Sequence, residues 1–125
     1  HQDFTGKVVA QRNFTSDNGG DTNNAADGQG HGTNVAGIVC ANGIHTGMAP
    51  GAKVIPLKVL TNSGGGSFSA VVSALDWVIA NRTTYNITVV NMSLGDGRNY
   101  TSDSGFSSDT VRQRIATLRS NRVAV

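Results

Sequence analysis

Apolar positions along the chain fall into short clusters whose spacing switches between two periods. Residues 7–14 (KVVAQRNF) form a brief apolar run that predicts a strand. Residues 16–30 are Asp, Asn and Gly with little to bury, and predict an irregular loop. Residues 31–41 are apolar almost all round after their first turn, which predicts a helix buried on several sides, with Gly37 permitting close backbone approach. A second strand is predicted over residues 52–60, where Pro56 marks an edge or irregular position. Gly64, Gly65 and Gly66 predict a turn, and Ser67 a helix cap. Phe68, Val71, Val72, Leu75, Val78 and Ile79 then recur at helical spacing. Residues 87–94 predict a third strand. Asp109 predicts the cap of a helix lined by Val111, Ile115 and Leu118, and residues 123–125 the start of a fourth strand. Strands alternating with helices predict an α/β fold with a parallel sheet.

Composition sharpens this picture. The chain has 125 residues, of which 38% are hydrophobic and only 14% charged, with a net charge of +2. Every acidic residue is Asp, so chemistry needing a Glu base, and a complete EF-hand, are excluded within these residues. Arg112, Arg114, Arg119 and Arg122 cluster near the end on what reads as one helix. No aromatic follows Phe106, so a nucleic-acid stripe is not expected. Cys40 is alone, which excludes an internal disulfide. No apolar run approaches the ~20 residues of a membrane-spanning helix. Five N-x-S/T triplets, at Asn13, Asn81, Asn86, Asn91 and Asn99, are compatible with secretion.

The stretch most suggestive of chemistry is Gly30-His31-Gly32-Thr33, between the polar loop and the buried helix. An imidazole at a helix start, flanked by glycines, is held rigidly yet open to a cleft, and near neutral pH it can accept a hydroxyl proton. The segment from Asp27 to Val39 (DGQGHGTNVAGIV) resembles the histidine signature of the subtilisin-like serine proteases. Four further segments resemble that family in the same order. They are His1-Gln2-Asp3-Phe4, the pair Gly47-Met48-Ala49-Pro50-Gly51-Ala52 and Leu57-Lys58-Val59-Leu60, residues 77–81 (WVIAN), and Val90-Asn91-Met92-Ser93-Leu94-Gly95. The resemblance covers essentially the whole chain.

It implies the three-layer α/β fold of that family, with residues 1–125 as part of its peptidase S8 catalytic domain. The expected form is incomplete, without the first central strand and the C-terminal part. It also implies a serine endopeptidase acting through an Asp-His-Ser triad, with His31 as general base. Gly64, Gly65 and Gly66 would form one rim of the substrate cleft and Ser93, Leu94 and Gly95 the other, with Leu60 and Phe68 as apolar walls. A polypeptide is the implied substrate. The implied partners are the rest of the catalytic domain, a pro-segment or a protein inhibitor. In family order the triad aspartate precedes His1 and the serine follows Val125, so this chain alone is expected to be inactive. An isolated copy is expected to expose apolar faces. No cofactor is expected for catalysis. Structural calcium is compatible with the resemblance, since Asp3 stands where one family site takes a carboxylate. The loop with Asp17, Asp21 and Asp27 offers oxygen ligands for a second site but lacks EF-hand spacing, and no metal-ligand set is assigned. The alternative reading is a non-catalytic pseudoprotease or peptide-binding module on the same scaffold. A glycine-rich phosphate cradle at residues 28–33 is disfavoured, because Gly-Lys-Ser/Thr is missing. The expected location is outside the cell.

Overall fold

The computed structural model describes residues 1–99, 101 and 109–125. These form two compact units, His1–Ala70 and Val71–Val125. The fold class is α/β, with helices alternating with extended segments that pair in parallel.

In the first unit, β1 (Arg12–Asn13) pairs with β2 (Leu57–Lys58), Arg12 opposite Leu57 and Asn13 opposite Lys58. Pairing begins earlier, at a bridge between Val8 and Val54. Between the two contacts the first strand spends one residue more than the second, so the register slips by one, as in a β-bulge. Pro56 sits at the slip. It has no N–H for the ladder, but its carbonyl accepts from Arg12 N–H at 3.0 Å. The predicted strands over residues 7–14 and 52–60 are therefore one interrupted ladder.

The polar loop carries a short 3-10 turn, Asn18–Gly20, and Asn13 anchors it. The buried Asn13 amide donates to the carbonyls of Asp17 and Asp21, and its oxygen accepts from the N–H and hydroxyl of Thr15. Lys7 is also buried, and its ammonium is taken by the carbonyls of Pro50 and Ala52. The interior of this unit thus mixes small apolar residues (Ala25, Cys40, Ala41, Ala70) with polar groups that are fully partnered.

Helix α1 (His31–Cys40) follows the loop. Its expected burial on several sides is not observed: Cys40 is buried, but Ile38 is 64% exposed and Val39 42%. Nothing among the described residues covers that face. The close approach expected at Gly37 is supplied from the other side. A Cβ on Gly47 would meet the Gly37 carbonyl and the Cys40 and Ala41 nitrogens at 2.7 Å, whereas a Cβ on Gly37 would meet nothing.

Helix α2 (Phe68–Asn81) starts at Ser67, whose hydroxyl accepts from Ala70 N–H at 3.2 Å. In the second unit its Val71, Ala74, Leu75 and Val78 are buried at helical spacing. Trp77 stacks on Tyr85, ring centroids 5.8 Å apart. Helix α3 (Thr110–Ser120) is capped by Asp109, whose carboxylate accepts from Val111 and Arg112 N–H. It buries Leu118 completely. Arg112, Arg114 and Arg119 lie on this helix, but Arg122 lies beyond its end at φ +62°, so the four arginines do not share one helical face. Arg114 of α3 pairs with Asp76 of α2 at 2.9 Å, and the residues just past the two helices are linked by Arg82 to Asn121 at 2.7 Å. Among the described residues, the predicted strand over residues 87–94 is paired only near Val89, which bridges Ala124 in parallel. Thr88 O and Val90 N–H clasp the Ala124 peptide at 2.9 and 2.8 Å.

Candidate active site

His31 is the first residue of α1 and is exposed to solvent. The residue before it, Gly30, caps the helix with φ at +98°, a conformation a side chain resists, and has no side-chain oxygen to offer the helix N–H groups. Asp27 supplies that oxygen from outside the helix. One carboxylate oxygen accepts from Gln29 N–H (3.0 Å) and Gly30 N–H (2.8 Å), the other from Thr33 N–H (2.8 Å) and the Thr33 hydroxyl (2.7 Å). Partial burial opposes ionisation of Asp27. The donations from Gly30, Thr33 and Gln29 outweigh it and hold the carboxyl well below the usual carboxylate range. The Gln29 side chain then accepts from His31 N–H at 2.8 Å. Every N–H from Gly28 to His31 is thereby held by a side chain, which fixes the backbone under the imidazole.

The glycine turn lies in the same unit as His31. Thr61 N–H donates to Gly65 O at 2.7 Å, Gly64 N–H donates to Thr61 O at 2.9 Å, and Leu60 bridges Gly66 in antiparallel fashion. Phe68 begins α2 and is 56% exposed. A cavity of about 300 Å³ opens beside the turn, with Phe14, Val59, Gly66 and Ala70 among its walls. His31, Leu60, Gly64, Gly65, Gly66 and Phe68 are thus all carried by the first unit. Ser93, Leu94 and Gly95 belong to the second. There they form an exposed stretch in which the Ser93 hydroxyl accepts from the Asn91 amide at 3.1 Å.

Lys58 and Asn62 were not among the predicted site residues, and Asp17 was expected only as an oxygen ligand, yet the three connect the histidine turn to the glycine turn. Asn62 Oδ1 accepts from Gly28 N–H at 3.0 Å and from Lys58 Nζ at 2.9 Å. Asn62 N–H donates to Asp17 Oδ2 at 2.6 Å, and Lys58 lies 3.4 Å from the same oxygen. Only the proximity of Asn62 to the glycine triplet hinted at this in the sequence, because the pairing spans 34 residues.

Asp3 is buried against the tight turn at residues 42–46. Its carboxylate accepts from Ile44 N–H and meets His45 Nδ1, both at 2.8 Å. The His45 hydrogen bond, with the Ile44 and His45 amides, lowers its pKa against the cost of burial. Calcium takes several oxygen ligands together. Asp3 instead faces hydrogen-bond donors, and no group of three or more His, Cys, Asp or Glu among the described residues could hold a metal ion. The Asp3 carboxylate is thus engaged by Ile44 N–H and His45.

The Subtilase family model matches residues 1–125. The chain is 40% identical to alkaline serine exoprotease A of Vibrio alginolyticus over 86% of its own length and 19% of that protein's. It is 38% identical to proteinase T of Parengyodontium album over 96% of its length and 36% of that protein's. The crystal structure of a cold-adapted subtilisin-like serine proteinase superposes with a TM-score of 0.69 at 32% identity, covering 94% of this chain and 38% of that one. The chain spans between a fifth and about a third of the length of the relatives it matches. A family model matched from end to end, and a helix-borne histidine in the expected setting, make this chain a member of the subtilase family.

Proposed function

We propose that this chain supplies the general base and one substrate rim of a serine endopeptidase acting on polypeptides, with residues 1–125 forming part of its catalytic domain. The observation that carries this reading is the exposed His31 imidazole on a backbone whose N–H groups are all tied down. A base must present its ring in one orientation while remaining open to substrate, and a fixed turn at a helix start meets both needs. In the proposed reaction His31 takes the proton of a serine hydroxyl and passes it to the leaving amine. An extended substrate backbone would lie along Gly64, Gly65 and Gly66, gaining main-chain hydrogen bonds. Leu60 and Phe68 would wall the apolar side chains upstream of the cleaved bond. Exposure of Phe68 supports that role.

Within the described residues, no helix is long and apolar enough to cross a membrane. The triad's aspartate and serine would come from elsewhere in the polypeptide, so residues 1–125 alone would hydrolyse no peptide bond.

The test is paired. In the full-length protein, His31→Ala should lower turnover of a peptide substrate by about 10⁴-fold or more without changing the far-ultraviolet circular dichroism. A serine-directed fluorophosphonate should label the full-length protein and leave residues 1–125 unlabelled. Retained turnover in His31→Ala would refute the base. A full-length protein that binds peptide but takes no label would favour the pseudoprotease reading.

A further inference from the structure

We infer that Asn62 is a positioning residue for His31, fastening the histidine turn to the segment that carries the glycine rim. The inference rests on the reading of His31 as the base. Asn62 makes three hydrogen bonds at one point. Its side-chain oxygen holds Gly28 N–H (3.0 Å) and the Lys58 ammonium (2.9 Å), and its own N–H is held by Asp17 (2.6 Å). Lys58 and Asp17 also pair at 3.4 Å, with only 8% of the lysine side chain exposed. The Asn62 backbone is therefore held by an anchored carboxylate and its side-chain oxygen by an anchored ammonium and Gly28 N–H, which leaves the residue little freedom to swing away.

Contact with the histidine turn is close as well as polar. A Cβ on Gly28 would meet Asn62 Cγ at 2.6 Å and its amide nitrogen and oxygen at 2.8 Å, so the approach needs a glycine there. From Gly28 the constraint passes along a short, fully bonded path. Asp27 and Gln29 hold the next three N–H groups, the last of them that of His31. In the other direction Asn62 lies between Leu60 and Gly64, within the turn closed by Thr61 and Gly65. Peptide bound along that turn would press on the segment that fixes the base. Asn62 touches no reacting atom and acts through His31.

Steady-state hydrolysis of a peptide anilide by the full-length protein, well below its melting temperature, tests this. Asn62→Leu keeps the size and removes the acceptor. It should lower kcat about tenfold or more, because a misplaced base loses rate steeply, while KM moves less than about twofold. Asn62→Asp restores an acceptor for both Gly28 and Lys58 and should bring kcat back to within about threefold of the parent. An unchanged kcat in Asn62→Leu, even with a lowered Tm, overturns the inference, and so does a rise in KM alone. Loss of turnover in His31→Ala with normal turnover in Asn62→Leu overturns the inference and leaves the base in place. Retained turnover in His31→Ala overturns the base, and the inference with it. Should the full-length protein show no turnover, NMR decides. A His31 ring signal displaced in Asn62→Leu and restored in Asn62→Asp, with Gly28 amide protection lost and regained in step, supports the inference. Identical spectra refute it.

Discussion

The two units bury different things. The second, Val71–Val125, hides aliphatic side chains: Val71, Leu75, Val78, Leu118 and Val123. The first, His1–Ala70, hides small residues together with Asp3, Lys7 and Asn13, each buried polar group meeting its own donors or acceptors. Apolar burial is strong but non-directional, and tolerates small shifts of one element against another. A buried polar network is directional and fails abruptly when a partner is lost. The unit that carries His31 is built on the directional kind.

The comparison breaks if the first unit proves as tolerant as the second. Leu118→Ala should cost the most in the full-length protein, about 3 kcal/mol by urea denaturation, since it leaves a cavity where the side chain is completely buried. A loss below about 1 kcal/mol would mean that the second unit collapses easily around the gap. Asn13→Ala should follow at about 2 kcal/mol, by leaving the Thr15 N–H and hydroxyl without their acceptor and taking one of two donors from the Asp17 and Asp21 carbonyls. Its effect should also concentrate in the loop at residues 14–30, read as faster amide exchange there. Uniform exchange would show that the network is not local. Asp109→Ala should cost about 1 kcal/mol, the ordinary worth of a helix cap with two accepted N–H groups.

The smallest effect is one of pH. The Asp3 carboxyl titrates below its ordinary value of 3.8 because His45 and the neighbouring amides favour the ionised form. Its contribution to stability is therefore complete above that value and fades as pH falls through the lowered pKa. His45→Leu removes the leading cause, so acid unfolding should begin at a higher pH than in the parent. An unmoved acid midpoint would show that the Ile44 and His45 amides alone hold the carboxylate.

Much of the site was legible because it is local. The Gly30-His31-Gly32-Thr33 run, with Asp27 ahead of it, encodes a capped helix start within a few residues, and α2 and α3 follow from helical spacing behind Ser67 and Asp109. Contacts across many residues were not legible. Asn62 reaching Gly28, His45 reaching Asp3 and Gly47 seated against Gly37 each join positions whose distance in space has no sequence signal. The exposed face of α1 misled the reading for a related reason. An apolar pattern specifies that a face should be buried, and covering it takes chain that packs there; within the described residues none does.

Residue order by itself determined the alternation of helices and strands, the caps, and the setting of His31, because each depends on spacing of a few residues and on short-range hydrogen bonds. Tertiary structure alone decided the one-residue slip at Pro56, the pairing of Asp3 with His45, and the Asn62 link between the two turns of the first unit. Those features depend on which distant groups the folded backbone brings within about 3 Å, a distance that neither period nor composition encodes.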